Sequence, residues 1–406
     1  MSKNNENKLV PKLRFPEFQN EDDWRVDEVG NVFDVTRGYV LSMNLVSEEQ
    51  TESNPYPVYS SQTKNKGLAG YYKDFLYEDA ITWTTDGANA GDVNFRLGKF
   101  YCTNVCGVLV NSNGFANPCI AALINSVSRK HVSYVGNPKL MNGVMSKIKI
   151  PFPKIKEQQK IAACLSSLDE VITAESQKLG VLKDHKKGLL QNLLPQAGET
   201  VPKFRFKEFE NSGEWEEKCL GEVADVITGN TPTTSERDYY GGNKMLVSPA
   251  DINDNRFVVE AKTTLTELGF SKTRKIRANS VLFVCIGSTI GKVAQNKIEC
   301  ATNQQINSLV PFKEYSSAFL YSLLEANSQK IASLAGKQAV PLINKTTFSL
   351  VKLPFPSDLA EQQKIADTLS SVDDLINAQN QKIETLKQHK KGLLQGLFPN
   401  VSPLSP

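Results

Sequence analysis

The chain has 406 residues, 40% hydrophobic and 22% charged, with a formal net charge of +3 at pH 7. That length suits two or three domains with their own cores, and no apolar run approaches the length that spans a membrane, which leaves membrane proteins out. Seven cysteines without a Cys-x-x-Cys pair speak against a zinc site or a disulfide framework, and so weak a basic excess confines any polyanion contact to local patches.

Residues 1–23 form an N-terminal segment whose polar start, Met1 to Lys8, has no character of a secretory leader. The location this implies is the reducing cytoplasm, with structural thiols. Within the segment lies Val10-Pro11-Lys12-Leu13-Arg14-Phe15. Residues 24–153 follow as a strand-rich domain of short β-branched and aromatic runs, such as Ala80 to Trp83 and Val105 to Val110, broken by Gly and Asn turns. One helix is expected over 117–125. The domain closes on Pro151-Phe152-Pro153, where prolines stop it ahead of a helix.

Residues 154–195 read as one long helix. Apolar residues at Ile161, Leu165, Leu168, Ile172, Leu179, Leu182, Leu189 and Leu193 keep a four-three alternation, with Glu175 and Lys186 in the gaps. That is the 3.5-residue period of a coiled-coil seam. Lys186 and Lys187 in the last turns are explained by the negative end of the helix dipole.

Everything then recurs. A linker and repeated opening segment, 196–214, carries Val201-Pro202-Lys203-Phe204-Arg205-Phe206, and Trp24, Gly30 and Gly38 return in register as Trp215, Gly221 and Gly229. A second strand-rich domain, 215–356, ends on Pro354-Phe355-Pro356, with a buried strand expected from Val281 and a helix near 318–335. The second helix, 357–399, has its seam at Ile365, Leu369, Val372, Ile376, Ile383, Leu386, Leu393 and Leu397. From Glu157 and from Glu361 the two helical runs match without a gap, and about 25 of 39 positions are identical. Two amphipathic helices packed separately on two domains would satisfy the stripes; their length and shared polar interruptions favour pairing with each other. A tail, 400–406, completes the chain.

The search for catalytic chemistry returns little. Gly287-Ser288-Thr289-Ile290-Gly291-Lys292 resembles a phosphate-binding loop but has three residues between its glycines instead of four, and Val293 where a hydroxyl is needed; it reads as a strand and turn. His131, His185 and His389 have no Cys, Ser or carboxylate at a recognisable spacing. What remains is polar loop chemistry suited to base edges and phosphates. Its candidates are Ser60, Ser61, Lys64, Asn89, Thr103, Asn104, Asn137 and Lys139 in the first domain. In the second they are Thr231, Thr233, Ser235, Ser288, Lys292, Asn303, Gln304, Lys337 and Gln338, with Asn104 and Asn303 ranked first.

This order of segments resembles the specificity subunit of type I restriction–modification enzymes. The likeness rests on the Pro-Lys-(Leu/Phe)-Arg-Phe openings, the Pro-Phe-Pro exits and the Glu-Gln-Gln-Lys-Ile-Ala helix starts. Asp86 to Gly91 with Thr103-Asn104, and Thr289 to Lys292 with Ala301 to Gln304, add to it. The resemblance implies an α+β fold: two strand-rich target-recognition domains joined by two long antiparallel helices that form an intramolecular coiled coil, with a pseudo-twofold axis. It implies a non-catalytic chain that reads a bipartite, asymmetric site on double-stranded DNA. Two methyltransferase subunits using S-adenosylmethionine and two motor-nuclease subunits using ATP and magnesium would assemble on it. This chain itself would hold no cofactor and no metal. The competing readings are a non-enzymatic scaffold whose two domains bind proteins, and an enzyme with an unrecognised site.

Overall fold

The computed structural model describes residues 9–61, 64–196, 198–253, 255–336 and 340–399. The polar start before residue 9 and the tail from residue 400 lie outside them. The chain divides into two units, residues 1–175 with 383–406, and residues 176–382. Each consists of one strand-rich domain, the first part of the long helix that follows it, and part of the other long helix.

Unit 1 contains β1 (Arg25–Glu28), α1 (Val29–Val32), β2 (Asp34–Arg37), β3 (Tyr56–Tyr59), β4 (Leu68–Tyr72), β5 (Tyr77–Thr84), β6 (Val93–Cys102) and β7 (Cys106–Val110). Then come α2 (Pro118–Ser128), α3 (Asn142–Ser146), β8 (Lys149–Phe152) and the long helix α4 (Ile155–Leu193). Six strands form one sheet in the order β2-β7-β5-β6-β3-β4, while β1 pairs antiparallel with β8. The helix expected over 117–125 is α2, and Asn117 caps it by accepting from the Ile120 N–H. Trp24, Phe33, Ile81, Trp83, Ile120 and Ile124 build the core.

In unit 2, β9 (Glu216–Cys219), α5 (Leu220–Val223), β10 (Ala224–Thr228), β11 (Tyr240–Val247), β12 (Phe257–Val258), β13 (Thr263–Leu265), α6 (Glu267–Ser271) and β14 (Lys275–Ile276) come first. They are followed by β15 (Val281–Val284), β16 (Val293–Asn296), β17 (Cys300–Thr302), β18 (Ile306–Pro311), α7 (Ser317–Ala332), α8 (Lys345–Ser349), β19 (Lys352–Phe355) and α9 (Leu359–Leu397). The sheets are β10-β18-β15-β16-β12 and β13-β11-β17-β14, and β9 pairs with β19 as β1 does with β8.

The repeated motifs turn out to be the latch that closes each domain onto its helix. Arg14 donates to both carboxylate oxygens of Glu157 at 2.8 Å, and the Trp24 indole N–H reaches the same carboxylate at 3.2 Å. Arg205, Glu361 and Trp215 repeat this at 2.8, 2.7 and 3.2 Å. Gln158 donates to the Pro153 carbonyl and accepts from Asn117, and Gln362 donates to Pro356 and accepts from the Ser316 N–H. Both glutamates and both glutamines are buried, so these paired polar groups fix one geometry instead of many.

Two expectations for the long helices need correction. The seam is not used for helix pairing alone: Ile161 and Leu165 in unit 1, and Ile365 and Leu369 in unit 2, pack into the domain cores. So do the helix ends, Leu393, Leu394, Leu397 and Phe398 in unit 1 and Leu189, Leu190, Leu193 and Leu194 in unit 2. Nor are the lysines in the gaps there for the dipole. Lys390 meets Asp169 at 2.6 Å within unit 1, and Lys186 meets Asp373 at 2.7 Å within unit 2. The second pair is the repeat image of the first, with lysine and aspartate exchanged between helices. That exchange is what antiparallel packing of two copies of one helix requires.

Candidate nucleic-acid interface

In unit 1 the candidate loops gather at one end of the sheet, because the strands that carry them are neighbours. The Thr85 N–H donates to the Val105 carbonyl, the Gly87 N–H to Pro138, and the Leu140 N–H to Thr85, which ties the turn after β5 to the turn after β6 and to the loop over 133–139. The same bonds recur in unit 2 from Cys285 to Gln305, Gly287 to Pro341 and Ile343 to Cys285. Gly87 and Gly287 hold φ values of +94° and +98°, as these tight turns demand. The turn that resembled a phosphate loop thus leads from β15 straight into β16, a strand where a phosphate loop would start a helix.

A second repeated glycine explains itself here. A Cβ on Gly38 would lie 2.1 Å from the Cys102 carbonyl oxygen, and one on Gly229 would lie 2.2 Å from that of Thr302. The backbone of the turn after β6, and of its equivalent after β17, needs that space.

These bonds also set the true correspondence between the turns. The Cys106 N–H donates to Thr103 and the Ile306 N–H to Asn303, so Thr103 matches Asn303, and Asn104 matches Gln304. The Thr-Asn dipeptides at 103–104 and 302–303 therefore sit one position out of step in the two turns. Thr103 is buried and donates to Ser60 Oγ at 3.1 Å. Asn303 accepts from the Gln305 N–H at 3.1 Å and donates to Gln305 Oε1, an Asx turn that occupies its side chain. Asn104 and Gln304 are the exposed apices.

Among the other candidates, Asn137 and Lys139 are exposed on the 133–139 loop, with Lys139 3.8 Å from Asp86. Ser60, Ser61 and Asn89 are half-buried. Thr231 is exposed and donates to Gln304 at 2.9 Å, and Thr233, Ser235 and Ser288 are exposed on neighbouring loops. Lys292 donates to the Ile252 carbonyl at 2.7 Å, which pins a loop of its own unit. Lys337, Gln338 and the side chain of Lys64 lie outside the described residues.

Sequence reasoning passed over two sets. In unit 2, the Arg274 guanidinium donates to the Thr228 carbonyl at 2.7 Å and its backbone N–H to Asn230 Oδ1 at 2.8 Å, setting the basic run Lys272 to Lys275 beside Thr231. In sequence such a run has the composition of any solvated turn and carries no signal of its own. In unit 1, Tyr39 and Val40 are 64% and 79% exposed immediately after Gly38, and Tyr134 and Val135 are 68% and 93% exposed on the 133–139 loop. So many apolar tips beside amides and hydroxyls suit contact with base edges and thymine methyls.

Among the described residues the buried thiols are not activated. Burial pushes the Cys285 thiol up to about 12 and the Cys106 thiol up to about 11, the reverse of a nucleophile. No cluster of His, Cys, Asp and Glu has metal-binding geometry there, and no described helix is long and apolar enough to cross a membrane.

The model of the type I restriction modification DNA specificity domain matches this chain twice, over residues 21–184 and 212–388. The chain belongs to that family. It is a type I specificity subunit, a sequence-specific DNA-recognition protein with two target-recognition domains. A putative type I specificity subunit of Mycoplasma pneumoniae is 28% identical over 85% of this chain and 88% of its own length. A shorter M. pneumoniae relative, named as the N-terminus of such a subunit, is 39% identical over 34% of this chain and 75% of its own length. The crystal structure of a type I restriction–modification S subunit from M. genitalium superposes with a TM-score of 0.67 at 16% identity, covering 97% of this chain and all of that one. It bears on the fold: α+β, with strand-rich domains joined by long antiparallel helices.

Proposed function

We propose that this specificity subunit reads a bipartite, asymmetric site on double-stranded DNA, one half-site per unit, and that methyltransferase and motor-nuclease subunits assemble on it, two of each. The observation behind this reading is the loop end built twice on one hydrogen-bonded frame but surfaced differently. Unit 1 presents Asn104, Asn137, Lys139 and the apolar tips; unit 2 presents Gln304, Thr231, Thr233, Ser235, Ser288 and the Lys272–Lys275 run. An identical frame with unlike tips is what two different half-sites require. Lysines and arginines at the rims would neutralise phosphates, and amides and hydroxyls would address base edges. Catalysis would sit in the partners, with S-adenosylmethionine serving the methyltransferase and ATP with magnesium the motor. The test is adenine methylation of plasmid DNA by purified chain and its methyltransferase, followed by methylome sequencing. A two-part, non-palindromic motif that needs both proteins supports the reading, and methylation without this chain, or at a continuous palindrome, overturns it.

A further inference from the structure

In unit 2 the chain closes its own sheet edge. β12 runs parallel to β16, Phe257 opposite Gln295 and Val258 opposite Asn296, and the Gln295 N–H donates to the Arg256 carbonyl at 2.7 Å. Arg256, only 6% exposed, then fills the space between sheet and long helix, donating to Gln295 Oε1 at 2.6 Å and to Ser370 Oγ. Beside it, Tyr321 and Glu325 project from α7, and Glu325 takes a bond of 2.7 Å from Lys186.

Among the described residues, unit 1 has the same ladder without that cover. Phe95 stands opposite Ile81 as Gln295 stands opposite Val281, so its N–H and C=O also point away from β5. β3 joins β6 only at Tyr101 and Cys102, the Val93 N–H is taken by Asn125, and no described residue bonds the Phe95 N–H. Where α7 offers Tyr321 and Glu325, α2 offers Ala122 and Ser126, counting from the caps Ser316 and Asn117. The result is a cleft of about 930 Å³ whose floor includes Phe95, Ala122, Leu165 and Leu394. Lys12, Lys66, Lys130, Lys390 and Lys391 line it, against Asp169 and Glu170 as the acids among the described residues. Lys186 holds two carboxylates; Lys390 holds Asp169, and the position of its second partner is a serine.

We propose that this open edge and cleft take an extended, acidic segment of a partner subunit, which pairs with β6 at Phe95 and places a carboxylate by Lys390. Only one such segment binds per chain, because unit 2 has filled the equivalent place with its own residues. An unpaired strand edge is a template for another polypeptide, through main-chain bonds that side-chain pockets make specific. A nucleic-acid phosphate could accept from the Phe95 N–H but offers no donor to its carbonyl. The inference rests on the reading of the chain as an assembly platform.

Hydrogen exchange over residues 93–97 tests it, in the full chain alone, with DNA, and in complex with its methyltransferase and motor subunits. The expected result is exchange at Phe95 slowed at least tenfold in the complex only, with residues 293–297 unchanged. An Ala122→Tyr, Ser126→Glu chain, folded by circular dichroism, should assemble through its other contacts and lose that protection. Unchanged exchange in a complex that does form overturns the proposal. So does protection in the chain alone, which would mean occupation by its own tail or a second copy, or protection by DNA alone. A chain that forms no complex sinks the functional reading, and this inference with it.

Discussion

Arg14 and Glu157 are 5% and 1% exposed at the side chain, so their pairing is strong in geometry and costly to break from one side. Glu157→Gln should lower unfolding free energy by about 3–5 kcal/mol, the usual penalty for leaving a buried charge without its partner, as read from urea midpoints. A loss below about 1 kcal/mol would mean the latch is not what closes the domain. The buried thiols give a pH signature. Cys106, Cys285 and Cys300 are held at about 11, 12 and 12 by burial, against an ordinary value of 9.0. A raised folded value makes their stabilising contribution complete below pH 9 and lost as pH climbs from there towards 11–12. In the native protein a thiol reagent at pH 8 should modify Cys164 and Cys219, the two that are not buried, and reach the other five only on unfolding. Fast reaction at Cys285 would contradict this. For recognition, Asn104→Ala and Gln304→Ala should each weaken binding to the cognate site by about 1–3 kcal/mol without changing the fold. Undiminished affinity on DNA footprinting would remove them from the interface.

Between the long helices, the two repeat-related ion pairs differ in setting, and the difference is testable. Lys186 is 10% exposed at the side chain and faces Asp373 and Glu325, while Lys390 is 26% exposed and faces a 40% exposed Asp169. Lys186→Met should cost about 3–5 kcal/mol, because two carboxylates stay behind, and Lys390→Met about 0–1 kcal/mol. Equal losses in denaturant titrations would refute that. The helices were legible from sequence because a gapless repeat keeps the seam periodicity along their length, interrupted at the same two positions in each copy. The opening motifs were legible as repeats but not as latches, since nothing in one sequence brings Arg14 to Glu157 across 143 residues. The roles of the turn residues were not legible, since Asn104 and Asn303 follow the same residue type but the ladder leaves one at an exposed apex and ties the other into an Asx turn. β12 was invisible too: two residues, Phe257 and Val258, become a strand only because β16 has an edge to offer.

At the scale of the molecule, unit 1 is not a continuous piece of chain around a finished core. Unit 1 needs Leu397 and Phe398 in the same core as Trp24 and Ile161, some 220 residues after its own helix has left it. A fragment of residues 1–198 therefore lacks part of its core, at about 1.5–3 kcal/mol for each buried side chain missing. It also carries a near copy of the missing part in Leu189, Leu190, Leu193 and Leu194. Such fragments should pair by lending each other these helix ends, giving a dimer at micromolar concentration by sedimentation; a folded monomer would show that the helix ends are dispensable. The same feature puts folding on a clock. Unit 2 is contiguous, and its stretch from 176 to 382 emerges whole, whereas unit 1 must wait as an open intermediate until the far end of α9 has been translated. At ordinary rates of synthesis that delay is roughly 10–45 s. A nascent first domain with part of its core uncovered for so long is a natural client for chaperones, and the later half of this protein should be protease-resistant before the earlier half.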